Sequence, residues 1–181
     1  MTTDDSELSR RAIRGDRDAF GDLVIRHQTA AFHVAYRMLG NREDAEDITQ
    51  EAFLRAFRSL RSFDPNRPFE PWLKKITVNL CLNHLERKRD LPLDPERMIM
   101  EKDPASPMET RIEARDRSRL IRRELLRLPP RYRAAIELRH FQELSYTELA
   151  EALGCPLNQI KSDLFRARRI LMKNMRSQYH S

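Results

Sequence analysis

Three groups of side chains in this sequence have types and spacings suited to chemistry. Asp44, Asp47 and Glu51 recur at intervals of three and four, which places three carboxylates on one helical face, with Glu46 beside them. Such a face is either an ordinary solvated surface or a charged docking surface. A metal site is poorly supported, because no His and no phosphate-binding loop accompany the acids. Lys75, Asn79, Asn83 and Arg87 follow one another at four-residue steps and form a stripe of donors. Asn has weak helix propensity and seldom lines a helix face for stability, so two on one stripe stand out, and Arg87, Lys88 and Arg89 make the end of the stripe strongly basic. Nearby Arg67, Lys74 and the aromatics Phe63, Phe69 and Trp72 offer charge and stacking surface, although Phe63 and Trp72 equally suit a core. The third group is Gln159, Lys161, Ser162, Phe165, Arg166, Arg168 and Arg169, a basic, donor-rich surface. No nucleophile elbow or phosphate loop is present and the five His are scattered. The chain is therefore expected to be no enzyme, with no cofactor and no metal; a carboxylate-dependent nuclease is a remote alternative.

The third group is positioned by a recognisable local pattern. Ser145 with Glu148 three residues on is a capping-box signature. Gly154 suits a left-handed helix stop, and Pro156 the first turn of a new helix. Ile160, Leu164, Ala167 and Leu171 then give that second helix one buried face. This describes a helix-turn-helix that reads DNA, or two packed helices with a solvated basic side.

Upstream, residues 5–39 read as two helices, the second capped by Asp18 and ended by Gly40. Asn41 caps a helix from Glu43 to about Leu60 with Ala45, Ile48, Ala52, Phe53, Ala56, Phe57 and Leu60 facing inward. The prolines of Ser62–Pro68 interrupt it, and the donor stripe occupies a helix from Trp72 to about Lys88. Residues 91–110 hold four prolines and no helical period, which reads as a flexible linker. Ile112, Leu120, Ile121, Leu125 and Leu128 mark a helix stopped by Pro129-Pro130, and Tyr132, Ala135, Ile136 and Leu138 mark the next. The expected fold is all-α: two small helical domains, 1–90 and 111–181, joined by that linker.

Charge follows the same division. Residues 1–90 carry sixteen basic against fifteen acidic side chains, 91–110 two against five, and 111–181 sixteen against eight. The net charge of +6 is thus a property of the C-terminal part, as expected for a polyanionic partner there. Cys81 and Cys155 show no metal or redox spacing. The acidic N-terminus is unlike a signal peptide and no apolar run suits a bilayer span, so a soluble cytoplasmic chain is expected.

Five segments carry a resemblance to a known family: Asp44-Ala-Glu-Asp-Ile-Thr-Gln-Glu-Ala-Phe53, Phe63-Asp-Pro-Asn-Arg67, Trp72-Leu-Lys-Lys-Ile-Thr-Val-Asn79, Leu128-Pro-Pro-Arg131 and Ile160-Lys-Ser-Asp-Leu-Phe-Arg-Ala-Arg168. In type and order they resemble bacterial sigma factors of the extracytoplasmic-function (ECF) group of the sigma-70 family, over about Asp16 to Leu171. The resemblance implies a promoter-specificity subunit that binds core RNA polymerase and promoter DNA, helps open the duplex, and is held by an anti-sigma factor, which can tether it at the membrane. It implies polymerase docking by Asp44, Asp47 and Glu51. It assigns −10 contacts to Arg67, Lys74, Lys75, Asn79, Asn83, Arg87 and Lys88, and −35 contacts to Gln159, Lys161, Ser162, Phe165, Arg166, Arg168 and Arg169. Asn158-Gln159 stand where the family commonly has Gly-Thr, and Asp163 where it has a basic residue. An acid facing the groove would accept from a cytosine amino group, so an altered −35 preference is expected at Asp163. The competing reading is a standalone helix-turn-helix regulator, which leaves the acidic face and the donor stripe without a role.

Overall fold

A computed structural model describes residues 4–88 and 112–179. Its helices are α1 (Asp5–Ile13), α2 (Arg17–Leu39), α3 (Arg42–Ser59), α4 (Phe69–Lys88), α5 (Ile112–Leu126), α6 (Pro130–Ile136), α7 (Tyr146–Leu153) and α8 (Leu157–Tyr179). A 3₁₀ turn, Leu60–Ser62, follows α3, and a π-helical turn, Glu137–Phe141, follows α6. The described residues contain no strand, so the fold is all-α. The linker expected over 91–110 lies outside the described residues.

Helix α2 is the axis of the N-terminal bundle and packs on α1, α3 and α4. Leu23, Val34, Ala35 and Leu39 of α2, Ala45 and Ala52 of α3, and Leu73 and Val78 of α4 are completely or nearly completely buried there. Each such Leu contributes about 2 kcal/mol of transfer free energy. The cap of α2 is Asp16 rather than Asp18: its carboxylate accepts from the Ala19 N–H at 3.1 Å and from Arg11 at 2.7 and 2.9 Å. The helix begins earlier than the acid pattern suggested, which leaves Asp18 in its first turn. Gly40 ends it at φ +72°, and Asn41 caps α3 by accepting from the Asp44 N–H. Phe57 is not inward-facing; its ring is 46% exposed and meets Phe20 edge-on.

In the C-terminal bundle α8 packs on α6 and α7. Leu128, Leu138, Leu149, Ile160, Leu164 and Ala167 are buried at its centre, while Ile121 is exposed rather than packed. Pro129 and Pro130 have no N–H with which to satisfy the last carbonyls of α5. The buried Arg133 guanidinium does so instead, donating to the Leu125 and Leu126 carbonyls at 3.0 and 2.5 Å, and also to the Leu128 carbonyl just beyond the helix at 3.1 Å. Burial pushes its pKa down to about 10, still well above neutrality.

The two bundles touch. Arg37 of α2 donates twice to Glu137, at 2.7 and 2.8 Å, and lies over the Phe141 ring. Arg133 also donates to the Met38 carbonyl, and Arg122 lies over Tyr36.

Candidate nucleic-acid interface

The capping box opens α7 as expected: the Ser145 hydroxyl accepts from the Glu148 N–H, and the Glu148 carboxylate accepts from the Ser145 N–H at 2.8 Å. That backbone bond holds the Glu148 carboxyl below its ordinary pKa. Gly154 closes α7 at φ +60°, and the Pro156 carbonyl accepts from the Gln159 and Ile160 N–H groups to start α8.

On α8 the expected residues share one outer surface. Gln159, Lys161, Phe165, Arg166, Arg168 and Arg169 are exposed, and Ser162 is half-buried. Phe165 is 59% exposed and is approached by Arg169, 5.8 Å from its centroid. A bond to Tyr132 raises the Arg166 pKa above its ordinary value, and Tyr132, Arg166, Arg169 and Lys173 line a concave basic surface. Arg168 stands 3.4 Å from the His140 ring, whose pKa is lowered by burial and then by the charges of Arg168 and Arg139.

Asp163 is the exception. It is 4% exposed and accepts from Arg131 at 2.7 Å, so it faces α6 and not the groove. The expectation that it meets a cytosine amino group is therefore wrong. The signal was present in the spacing: Asp163 falls three residues after Ile160 and four before Ala167, inside the buried stripe.

The second surface lies on α4. Lys75, Asn79, Asn83 and Arg87 share one side, with Asn83 and Arg87 exposed and Lys75 and Asn79 half-buried. Lys74 is turned into an ion pair with Glu70, and Lys88 pairs with Asp44 at 2.8 Å. Arg67 is exposed in the preceding loop. Phe63 and Phe69 are buried and pack with half-buried Trp72 in an aromatic cluster with centroids 4.6–5.7 Å apart. Phe69 is thus core, not a free stacking platform. The loop is fastened to α1 by the Ser6 hydroxyl on the Pro65 carbonyl and by Arg10 on Asn66.

The acidic residues divide. Asp44 is held by Lys88 and lies 3.4 Å from His84, so a predicted docking acid and a predicted DNA-contacting base neutralise each other in this form. Asp47 is exposed, Glu51 half-buried, and neither has an ion pair among the described residues. Leu54, three residues on from Glu51, is 52% exposed and extends the same face with an apolar side chain that the charge pattern did not single out. Among the described residues no group of His, Cys, Asp or Glu is placed to hold a metal. None of their helices is long and apolar enough to cross a membrane. Cys81 is buried, and burial pushes its thiol pKa far up, leaving it unreactive.

Residues 23–90 match the sigma-70 region 2 family, and residues 118–171 match sigma-70 region 4. The chain is 38% identical to the ECF RNA polymerase sigma factor SigW of Bacillus subtilis, over 92% of this chain and 94% of that one. It is 32% identical to the RNA polymerase sigma-H factor of Pseudomonas aeruginosa, over 93% and 92%. The chain belongs to the ECF sigma factors.

Among solved structures this sigma factor is similar to CnrH, captured in complex with the cytosolic domain of CnrY. The two share 28% identity and a TM-score of 0.65 over 96% of this chain and 97% of the other. Sigma factors are transcription initiation factors, and this one is a promoter-specificity subunit of RNA polymerase. The region 4 match spans α8 to Leu171 and the region 2 match spans all of α4. Both candidate DNA surfaces therefore fall inside the matched segments. In the described arrangement the α4 surface meets α7: Asn79 donates to the Ala152 carbonyl at 3.2 Å. The charges of Lys75 and Arg67 also reach Glu148 across the same junction.

Proposed function

We propose that this sigma factor reads promoters with two separate surfaces and attaches to core RNA polymerase with a third. The outer side of α8 enters the major groove of the −35 element. Lys161 and Arg166 donate to guanine, Ser162 donates or accepts, Phe165 contacts a thymine methyl, and Arg168 and Arg169 hold phosphate. The loop from Phe63 and the α4 stripe of Lys75, Asn79, Asn83 and Arg87 handle the −10 element. Extruding a base there costs a few kcal/mol, which pocket contacts offset. Asp47, Glu51 and exposed Leu54 of α3 form the polymerase face, joined by Asp44 once Lys88 turns to DNA. An acidic surface there raises the association rate and fixes register on a basic partner.

The observation that best supports the reading is the division of α8. Every basic residue expected at DNA is outward, while the one acid, Asp163, is turned inward onto Arg131. The domains are 1–90 and 111–181, and the intervening acidic 91–110 is a connector. The chain has no catalytic activity of its own. It works in the cytoplasm and is held by an anti-sigma protein, a reading supported by the similar CnrH, solved with CnrY.

Run-off transcription with core polymerase on a promoter library tests this directly, with transcripts expected only when the chain is present. Lys161→Ala and Arg166→Ala should each cost about 1–3 kcal/mol at one or two −35 positions. A loss spread evenly over all sequences reassigns them to phosphate. Tight, specific duplex binding by the chain without polymerase supports a standalone regulator instead.

A further inference from the structure

The −35 surface as assigned rests on α8 alone, and the π-helical turn Glu137–Phe141 has no part in it. π-Turns are rare and are found frequently at functional positions. This one is braced. The Gln142 N–H donates to the Glu137 carbonyl at 3.2 Å, and the Leu144 N–H to the Leu138 carbonyl at 3.0 Å. Arg139 donates to the Leu144 carbonyl at 2.8 Å and lies over the Tyr146 ring, which fastens the turn to the start of α7. The next residue, His140, is exposed, and its Nε2 lies 3.4 Å from an Arg168 nitrogen of α8. A guanidinium has only donors, so Nε2 accepts and the ring is neutral, with its proton on Nδ1. Burial, then the charges of Arg168 and Arg139, favour that neutral form. No carboxylate among the described residues pairs with the ring to offset them. Glu137 is engaged by Arg37 and Gln142, Glu148 of α7 by the Ser145 cap, and exposed Glu143 makes no ion pair with it. The cations of the other helices packed on the turn are also engaged: Arg37 of α2 with Glu137, and Arg133 of α6 with backbone carbonyls. An imidazole beside two cations takes up a proton most readily when an anion comes to the same place. A DNA phosphate is such an anion, and Arg168 is already assigned to hold one.

We propose that His140 and Arg168 together grip one phosphate of the −35 duplex, with His140 taking up a proton as the phosphate arrives. The proposal rests on the reading of α8 as the −35 surface. It adds a contact from outside the recognition helix and makes −35 affinity depend on pH. The bound complex holds one proton more than the free chain. Affinity therefore rises as pH falls through the bound ring's pKa and levels off below the free one, by at most about ten-fold per pH unit between them. A phosphate carries no sequence information, so the ranking of promoter sequences stays the same.

The test uses holoenzyme assembled from the full chain and core polymerase, and a promoter duplex found by run-off selection, at about pH 6 and about pH 8. His140→Gln should bind about five-fold more weakly than wild type at the lower pH, and the gap should narrow to less than about two-fold at the higher. His140→Arg, charged at both, should bind more tightly than wild type at the higher pH. Its log–log salt slope there should be steeper by about 0.9, for one more duplex phosphate. A loss in His140→Gln that is equal at both pH values overturns the proposal, as does no loss at either or a loss confined to one base position. Arg168→Gln separates this assignment from the one beneath it. If Arg168→Gln leaves duplex affinity unchanged, Arg168 holds no phosphate and both assignments fall. A loss in Arg168→Gln beside an unaltered His140→Gln removes His140 alone.

Discussion

A buried carboxylate, Asp163, joins Ile160, Leu164 and Ala167 in setting how α8 is rotated against α6. Its bond to Arg131 ties the recognition helix to α6, so the outward set of Lys161, Phe165 and Arg166 is held at one angle. Arg131 gains from the pairing, its guanidinium pKa being raised chiefly by the Asp163 bond. Asp163→Ala should destabilise the chain by about 1–2 kcal/mol, less than a fully buried pair because Arg131 remains 43% exposed. Base preference should be unchanged while affinity falls across all promoters. Chemical denaturation and promoter selection on the same variant check both halves; a change confined to one base position returns Asp163 to the groove. Residue types were legible in the sequence, and so was membership of the outer surface of α8. The inward turn of Asp163 was hidden because its charge outweighed its place in the stripe of Ile160, Leu164 and Ala167.

Elements were legible wherever capping chemistry and helical period agreed. The Ser145–Glu148 box, the left-handed Gly154 and the Asn41 cap all fall where the sequence placed them. The start of α2 was misplaced because Asp16 and Asp18 are both suitable caps, and only the Arg11 and Ala19 bonds choose between them. The role of Arg133 was not legible at all, since the carbonyls it satisfies become available only once Pro129-Pro130 ends α5. The capping box also carries a pH dependence. Glu148 has a lowered folded-state pKa, so the stability it adds is present above its unfolded value, about 4.3. That increment is lost as pH falls through the lower folded value. Glu148→Gln should therefore be less stable than wild type near neutrality and converge with it in acid. Melting curves across that range check this; a gap that persists at the acidic end assigns the effect to shape rather than charge.

At the scale of the whole molecule, the proposed reading of a promoter by two surfaces requires the two bundles to move apart from the described arrangement. The −35 and −10 elements lie about 25 base pairs apart, or roughly 85 Å at 3.4 Å per step. Here Asn79 of the proposed −10 surface bonds the Ala152 carbonyl of α7, the helix that precedes α8. The 23 residues from 89 to 111 reach about 80 Å when extended, which lets the two bundles move well apart while the bundles themselves span the remainder. The contact to be broken centres on Arg37 and Glu137. Glu137 is 2% exposed and is also bonded by Gln142 at 3.0 Å, within the π-helical turn. Sequence patterns could not reveal this pair, because its members stand 100 residues apart. Arg37→Ala leaves the Glu137 charge buried with Gln142 alone, and should weaken the closed form by about 3 kcal/mol. The variant should have a larger radius by small-angle scattering. It should also bind a −10 single strand more tightly than wild type, because Asn79 is released. Glu137→Gln should open the pair in the same direction with a smaller effect, since a neutral amide still accepts from Arg37. A radius unchanged in both variants would show that the remaining contacts, Arg133 on Met38 and Arg122 on Tyr36, hold the closed form without the ion pair.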